Sequence, residues 1–240
     1  MCTVTIFFKG NKDFVLTSNR DEAPNRKSVP PDFYIVDSTR MLFPKDELAG
    51  GTWIGLSEKK RLVCLLNGGF VKHIRKDNYK FSRGVVVKDL LASDDVVTSI
   101  KGYNFNNVEP FTIVIADWNC DLKFFDLVWD GEVAHFNQLL LETKIWSSST
   151  LYSDEMKTER HQWFEEFKKN NELTSKSALD FHSTETENKD FGIVMDRSFV
   201  KTTSITQVEK INDTLSMTYF DLIEKKNTKV EFKIPLNINE

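Results

Sequence analysis

Thr3-Val4-Thr5-Ile6-Phe7-Phe8, Lys9-Gly10-Asn11-Lys12-Asp13 and Phe14-Val15-Leu16-Thr17, leading into Ser18-Asn19-Arg20-Asp21-Glu22, form the stretch from which the rest of the chain is read. The first run is β-branched and aromatic, which suits a pleated, half-buried surface. Residues 9–13 supply turn chemistry, and Phe14 begins the return strand. If Phe8 pairs with Phe14, partner numbers sum to 22 and Cys2 falls opposite Arg20, within one residue. Directly opposed side chains have Cβ atoms roughly 4.5–5.5 Å apart. A thiol is therefore expected beside a guanidinium and a carboxylate.

That juxtaposition has a chemical use. A residue as small as Cys2 permits removal of Met1, which would leave Cys2 with a free α-amine of pKa roughly 7.7–8.0. Such an amine can take the thiol proton as general base, and a neighbouring Arg20 favours the thiolate. Asp21 can orient the resulting ammonium or hold the arginine. The competing reading is plain architecture: Cys2 opens a strand, and Arg20 and Asp21 form an ion pair at a strand end.

A second hairpin follows. Thr52-Trp53-Ile54-Gly55-Leu56 and Arg61-Leu62-Val63-Cys64-Leu65-Leu66 flank a polar turn. The second of these strands is almost wholly apolar, as a strand covered on both faces should be. Pairing Leu56 with Arg61 puts Asn67 beside Gly50. The Asn67 amide can donate to a developing oxyanion, and Gly68 allows close backbone approach. An Asn-Gly pair is also an ordinary turn signal. Residues 24–50 hold four of the six prolines and read as an irregular excursion.

Further on, Ser82 caps a helix over 84–91, and Asp94 caps another over 96–100 that stops at Gly102. Residues 111–146 read as strands, with Asp130-Gly131 as a hairpin turn. Ser153 caps the clearest helix, ending near Lys169, and a short helix spans 174–181. The tail is strand-rich: 192–195, 200–208, 215–223 and 229–234. Strands and helices come in blocks, not in alternation, which favours an α+β chain with antiparallel sheets. No repeat or linker interrupts residues 1–240, so one domain is expected. On the Ser153 helix, Arg160 sits within an apolar stripe of Met156, Trp163, Phe164 and Phe167. It is either paired in a polar cavity or snorkels to water.

Composition narrows the function classes. The net charge is −4, with no basic stripe, which argues against a nucleic-acid partner. Three cysteines without CxxC spacing, and four histidines without ligand spacing, argue against disulfides and a metal site. The apolar run 4–8 is too short for a signal-peptide core or a membrane span. A cytoplasmic protein is expected.

Met1-Cys2-Thr3 with Asn19-Arg20-Asp21-Glu22 resembles the NRDE family, related to the transport and Golgi organisation 2 proteins. Gly50-Gly51-Thr52-Trp53-Ile54-Gly55, Leu65-Leu66-Asn67 and the stretch 197–208 resemble its later blocks. The resemblance implies the four-layer αββα sandwich of N-terminal-nucleophile hydrolases, similar in layout to choloylglycine hydrolase and penicillin V acylase. It implies Cys2 and Asp21 as catalytic residues, Asn67 as an oxyanion-hole donor and Arg160 as the late arginine; beside these, Arg20 is expected in the catalytic group and Asn19, Glu22, Gly68 and Trp53 as ligand contacts. There are two departures. The acylases carry Arg-Asn-x-Asp where this chain has Ser18-Asn19-Arg20-Asp21, and Trp146-Ser147-Ser148-Ser149 stands where a second oxyanion-hole Asn is expected. Two functions follow as expectations. One is an N-terminal cysteine amidohydrolase acting on a non-peptide C–N amide, with no cofactor. The other is a carrier of haem or an acyl or lipid ligand in the same pocket.

Overall fold

A computed structural model describes residues 3–234. The opening hairpin is β1 (Thr3–Phe8) and β2 (Phe14–Glu22). Its register runs from Thr3↔Asn19 to Phe8↔Phe14, the pairing that the Phe8–Phe14 turn dictates. Cys2 lies outside the described residues.

Residues 24–50 are not an irregular excursion. They form β3 (Ser28–Val36) and β4 (Thr39–Asp46). Proline hides them because it cannot donate to a ladder, so it survives only on edges and at bulges. Both conditions hold here: β3 is an edge strand, and Pro30-Pro31 falls at the register break between Val29 and Asp32.

β5 (Ile54–Ser57) and β6 (Arg61–Asn67) pair with Ser57 opposite Arg61, one residue away from the expected Leu56–Arg61 pairing. The turn holds three residues instead of four. Lys60 adopts the left-handed conformation at φ 56° that closes such a loop.

Helices α1 (Arg83–Ala92) and α2 (Val96–Gly102) follow. Ser82 caps the first as expected, but Asp95, not Asp94, caps the second by accepting from the Thr98 N–H. β7 (Phe111–Asp117), β8 (Lys123–Trp129), β9 (Ala134–Leu139) and β10 (Lys144–Ser147) come next. Then come α3 (Asp154–Asn170), capped by Ser153, and α4 (Ser175–His182), capped by Thr174. The chain closes with β11 (Lys201–Ile211), β12 (Thr214–Asp221) and β13 (Lys226–Glu231). The strand expected over 192–195 is only an isolated bridge, Glu185↔Val194.

The strands form two antiparallel sheets, ordered β10-β1-β2-β11-β12-β13 and β3-β4-β5-β6-β7-β8-β9. Between them lies the main core, with Val4, Ile6, Phe14 and Leu16 from the first sheet and Leu62, Cys64 and Leu66 from the second. α1 covers β5 and β6, while α3 and α4 cover β10, β1, β2 and β11. A smaller core of Phe7, Val15, Phe164, Phe181 and Ile193 fills the layer beneath α3 and α4. The order helix, sheet, sheet, helix is the expected αββα sandwich. Strand alternation now has a meaning for the site: even-numbered residues of β2 face the other sheet, and odd-numbered ones face α3 and α4.

Candidate active site

The four residues 19–22 divide between those two faces. Asn19 was expected to touch a ligand. It is instead fully buried on the helical side. Its Nδ2 donates to the backbone carbonyls of His182 (3.0 Å) and Ile193 (3.1 Å). That orients the amide, so Oδ1 faces His182 Nδ1. His182 must therefore carry its proton on Nδ1, and its Nε2 accepts from the Thr5 hydroxyl at 2.8 Å. Burial lowers the His182 pKa to about 3, so the ring is neutral.

Asp21 lies on the same side. Its carboxylate accepts from Tyr152 Oη and Thr202 Oγ1, both at 2.6 Å. Tyr152 in turn stacks under the Arg160 guanidinium, whose carbon is 3.7 Å from the ring centroid. Arg160 is fully buried and donates to the Gly192 carbonyl; its Nε and Nη1 have no partner among the described residues. The stem does not snorkel to water. A fully desolvated guanidinium resting on a tyrosine face is a cation–π contact of the stronger kind, and it ties α3 to the Asp21 group.

Arg20 faces the other sheet. It donates to Asp46 Oδ2 at 2.7 Å and to Thr203 Oγ1 and the Arg26 carbonyl, each at 3.1 Å. Its guanidinium also lies 4.8 Å from the Trp53 ring centroid. Burial alone would raise the Asp46 pKa. The Ala49 N–H and the Arg26 and Arg20 guanidiniums outweigh it and hold the carboxyl below its ordinary value. Arg26 bonds the same Asp46 oxygen at 2.9 Å and reaches Glu22 at 3.3 Å.

These groups line a cavity of ≈ 80 Å³ at the mouth between the sheets, together with Asn67, Gly51 and the first turn of α1. Arg20, Glu22, Trp53 and Asn67 are thus brought together; Asn19, Asp21 and Arg160 gather behind the sheet. The Trp53 indole N–H is buried without a partner among the described residues.

Gly68, at φ +86°, does not leave room for a ligand. A Cβ there would lie 2.2 Å from Ser149 Oγ, so the glycine lets the 148–150 segment close against residues 67–69. In that segment Ser148 Oγ donates to the Asn67 carbonyl at 2.7 Å and Ser149 Oγ to the Val71 carbonyl at 3.2 Å. Cys64 is not a rival nucleophile, because burial pushes its thiol up to about 12. Sequence reasoning missed Tyr152, Thr202, Asp46 and His182. Only the buried Arg20 hinted at one of them, since such a cation requires a carboxylate partner.

The two antiparallel sheets and their helical covers define an α+β protein with the fold of the N-terminal-nucleophile hydrolases. The N-acylethanolamine-hydrolyzing acid amidase ortholog of Caenorhabditis elegans superposes with a TM-score of 0.58 at 12% identity, covering 86% of this chain and 92% of that one. Penicillin V acylase from Agrobacterium tumefaciens gives 0.56 at 10% identity, over 96% and 86%. A variant of conjugated bile acid hydrolase from Clostridium perfringens gives 0.55 at 10%, over 100% of both chains. At such identities the likeness is one of fold. No curated protein sequence matches the chain. Residues 1–229 match the family model described as Transport and Golgi organisation 2, and the chain belongs to that family. No helix among the described residues is long and apolar enough to cross a membrane, and no cluster of metal-ligating side chains occurs among them.

Proposed function

We propose that the chain is an N-terminal cysteine amidohydrolase that cleaves a linear, non-peptide C–N amide once Met1 is removed. The observation that carries this reading is the Thr3↔Asn19 pairing, which sets the residue after Cys2 against a strand whose Arg20 and Asp21 are each held by buried hydrogen bonds. The amidase and hydrolases that share the fold support it.

In this mechanism the Cys2 thiol attacks the amide carbonyl and its proton passes to the Cys2 α-amine. Asn67 Nδ2 donates to the oxyanion. Its amide makes no hydrogen bond to another described residue. The C–N bond breaks as the ammonium proton moves to the leaving amine, and water then cleaves the thioester to release the acid and restore the thiol. Asp21 steadies the ammonium, Arg20 favours the thiolate, and Glu22 and Trp53 meet the ligand at the mouth. Arg160 acts through Tyr152 on Asp21, as a positioning residue. Intact mass after exposure to a β-lactam probe tests the reading. The processed wild type should gain one adduct and Cys2→Ser none, and equal labelling of both would sink it.

Two observations favour a second reading, a non-catalytic carrier of haem or an acyl or lipid ligand. The Ser148 and Ser149 hydroxyls, which stand where a second oxyanion donor is expected, are bound to carbonyls. Glu109 also bridges Arg83 at the mouth to His73, whose Nδ1 has no partner among the described residues. A saturable Soret shift with haemin, lost in His73→Ala, would favour the carrier; its absence would count against haem.

A further inference from the structure

The helical cover of the first sheet rests on β10, β1, β2 and β11. Beside that cover lies a cavity of ≈ 500 Å³, on the opposite side of the sheet from the Arg20 mouth. Its size falls within the roughly 300–1,000 Å³ typical of small-molecule sites. Ile205 and Phe220 are directly paired on neighbouring strands and form its floor, with Val194 and Met195 as a wall. Ile205 shares its face with Asn19, its partner on β2.

The rim is cationic. Lys189, Lys201, Lys225 and Lys226 line it, and of these only Lys226 has an ion pair among the described residues, with Glu224 at 3.9 Å. Three carboxylates also line it, and two are already engaged. Asp196 accepts from the Ser198 N–H, and Asp221 accepts from the Ile223 and Glu224 N–H groups. Lys189, Lys201 and Lys225 thus stand without an ion pair among the described residues, at the rim of an apolar floor.

The wall of this cavity is also the support of Asp21. Met195 and Thr202 bond reciprocally: the Met195 N–H donates to Thr202 Oγ1 at 3.0 Å, and the Thr202 N–H to the Met195 carbonyl at 2.9 Å. The same Thr202 hydroxyl donates to Asp21. It sits at the register break of β11, where the ladder is already interrupted.

We propose that this cavity binds a compact amphipathic monoanion, an apolar body carrying one carboxylate, and that its occupant acts on the Asp21 group through Met195 and Thr202. The site stands whether or not the chain cleaves amides, so its test is a binding test. Decanoate is titrated into full-length protein with ¹³C-methyl methionine, the Met195 signal being assigned with Met195→Leu. The Met195 methyl should shift saturably, while decyltrimethylammonium, matched in chain and opposite in charge, should bind about tenfold more weakly or not at all. Lys201→Glu combined with Lys225→Glu should weaken decanoate binding by about tenfold, and Val194→Trp should block it by filling the space. Both variants lie at the surface or on the wall, and circular dichroism verifies their folding. An unshifted Met195 methyl, equal binding of the cation, or undiminished binding in both folded variants overturns the proposal.

Discussion

Asn19 illustrates how a motif residue can act at a distance from any ligand. Its amide joins α4, the Ile193 segment and β2, and it sets the tautomer of a histidine 163 residues away. His182 shows no metal spacing and was legible only as one histidine of four. Its role depends on contacts with Thr5 and Asn19 that no local pattern encodes. Its titration carries a prediction. The ordinary value is 6.5 and the folded value about 3, so between them the unfolded chain holds a proton that the folded chain does not. The stability of neutral His182 is complete above the unfolded value and is lost progressively as pH falls toward the folded one. The slope is at most about 1.4 kcal/mol per pH unit. Urea unfolding from pH 6.5 to 5, before most carboxylates titrate, should show stability falling with pH. His182→Gln should flatten that slope while lowering stability at pH 7.5 by about 1–3 kcal/mol through the groups left unpaired. An unchanged slope would mean that the ring is not buried neutral.

Among the elements, legibility followed the turns. The β1–β2 register was readable because Phe8 and Phe14 bracket an obvious turn. The β5–β6 register slipped because nothing in Ser57-Glu58-Lys59-Lys60 announces that a lysine takes the left-handed conformation. β3 and β4 were concealed by prolines that only an edge position and a bulge can accommodate. Capping chemistry made α1 and α3 readable to within a residue or so. What capping does not reveal is how close α1 comes to the mouth. A Cβ on Gly84 would lie 2.9 Å from the Thr52 carbonyl oxygen and 3.2 Å from Gly51 Cα. Both neighbours are backbone and cannot swing aside. Gly84→Ala should therefore push α1 off the loop that carries Trp53, at a cost of about 1–3 kcal/mol. Gly102, at the end of α2, has no atom within 4 Å of its would-be Cβ. Gly102→Ala should be neutral or should stabilise by about 0.4–1 kcal/mol through the unfolded chain. Thermal melts of the two variants check the contrast, and equal effects would contradict this packing.

Across the whole molecule, the sandwich assigns neighbouring residues of one motif to separate environments. Order and blocks of elements made the αββα layers legible, but not which face of β2 meets the helices. That depends on β11, nearly 180 residues further on, lying against β2. Arg20 is consequently built into the mouth by Asp46 and Thr203, whereas Asp21 is built into the helical side by Tyr152 and Thr202. Couplings between mutations should follow that division and not distance along the chain. Tyr152→Phe and Thr202→Val each remove a donor from the same carboxylate, so their effects on unfolding free energy should be non-additive by about 0.5–3 kcal/mol. Tyr152→Phe and Asp46→Asn act on opposite faces of β2 and bond different described residues, so their effects should add to within about 0.5 kcal/mol. If the second pair coupled as strongly as the first, β2 would be relaying strain through its backbone, and Arg20 and Asp21 would have to be treated as one unit.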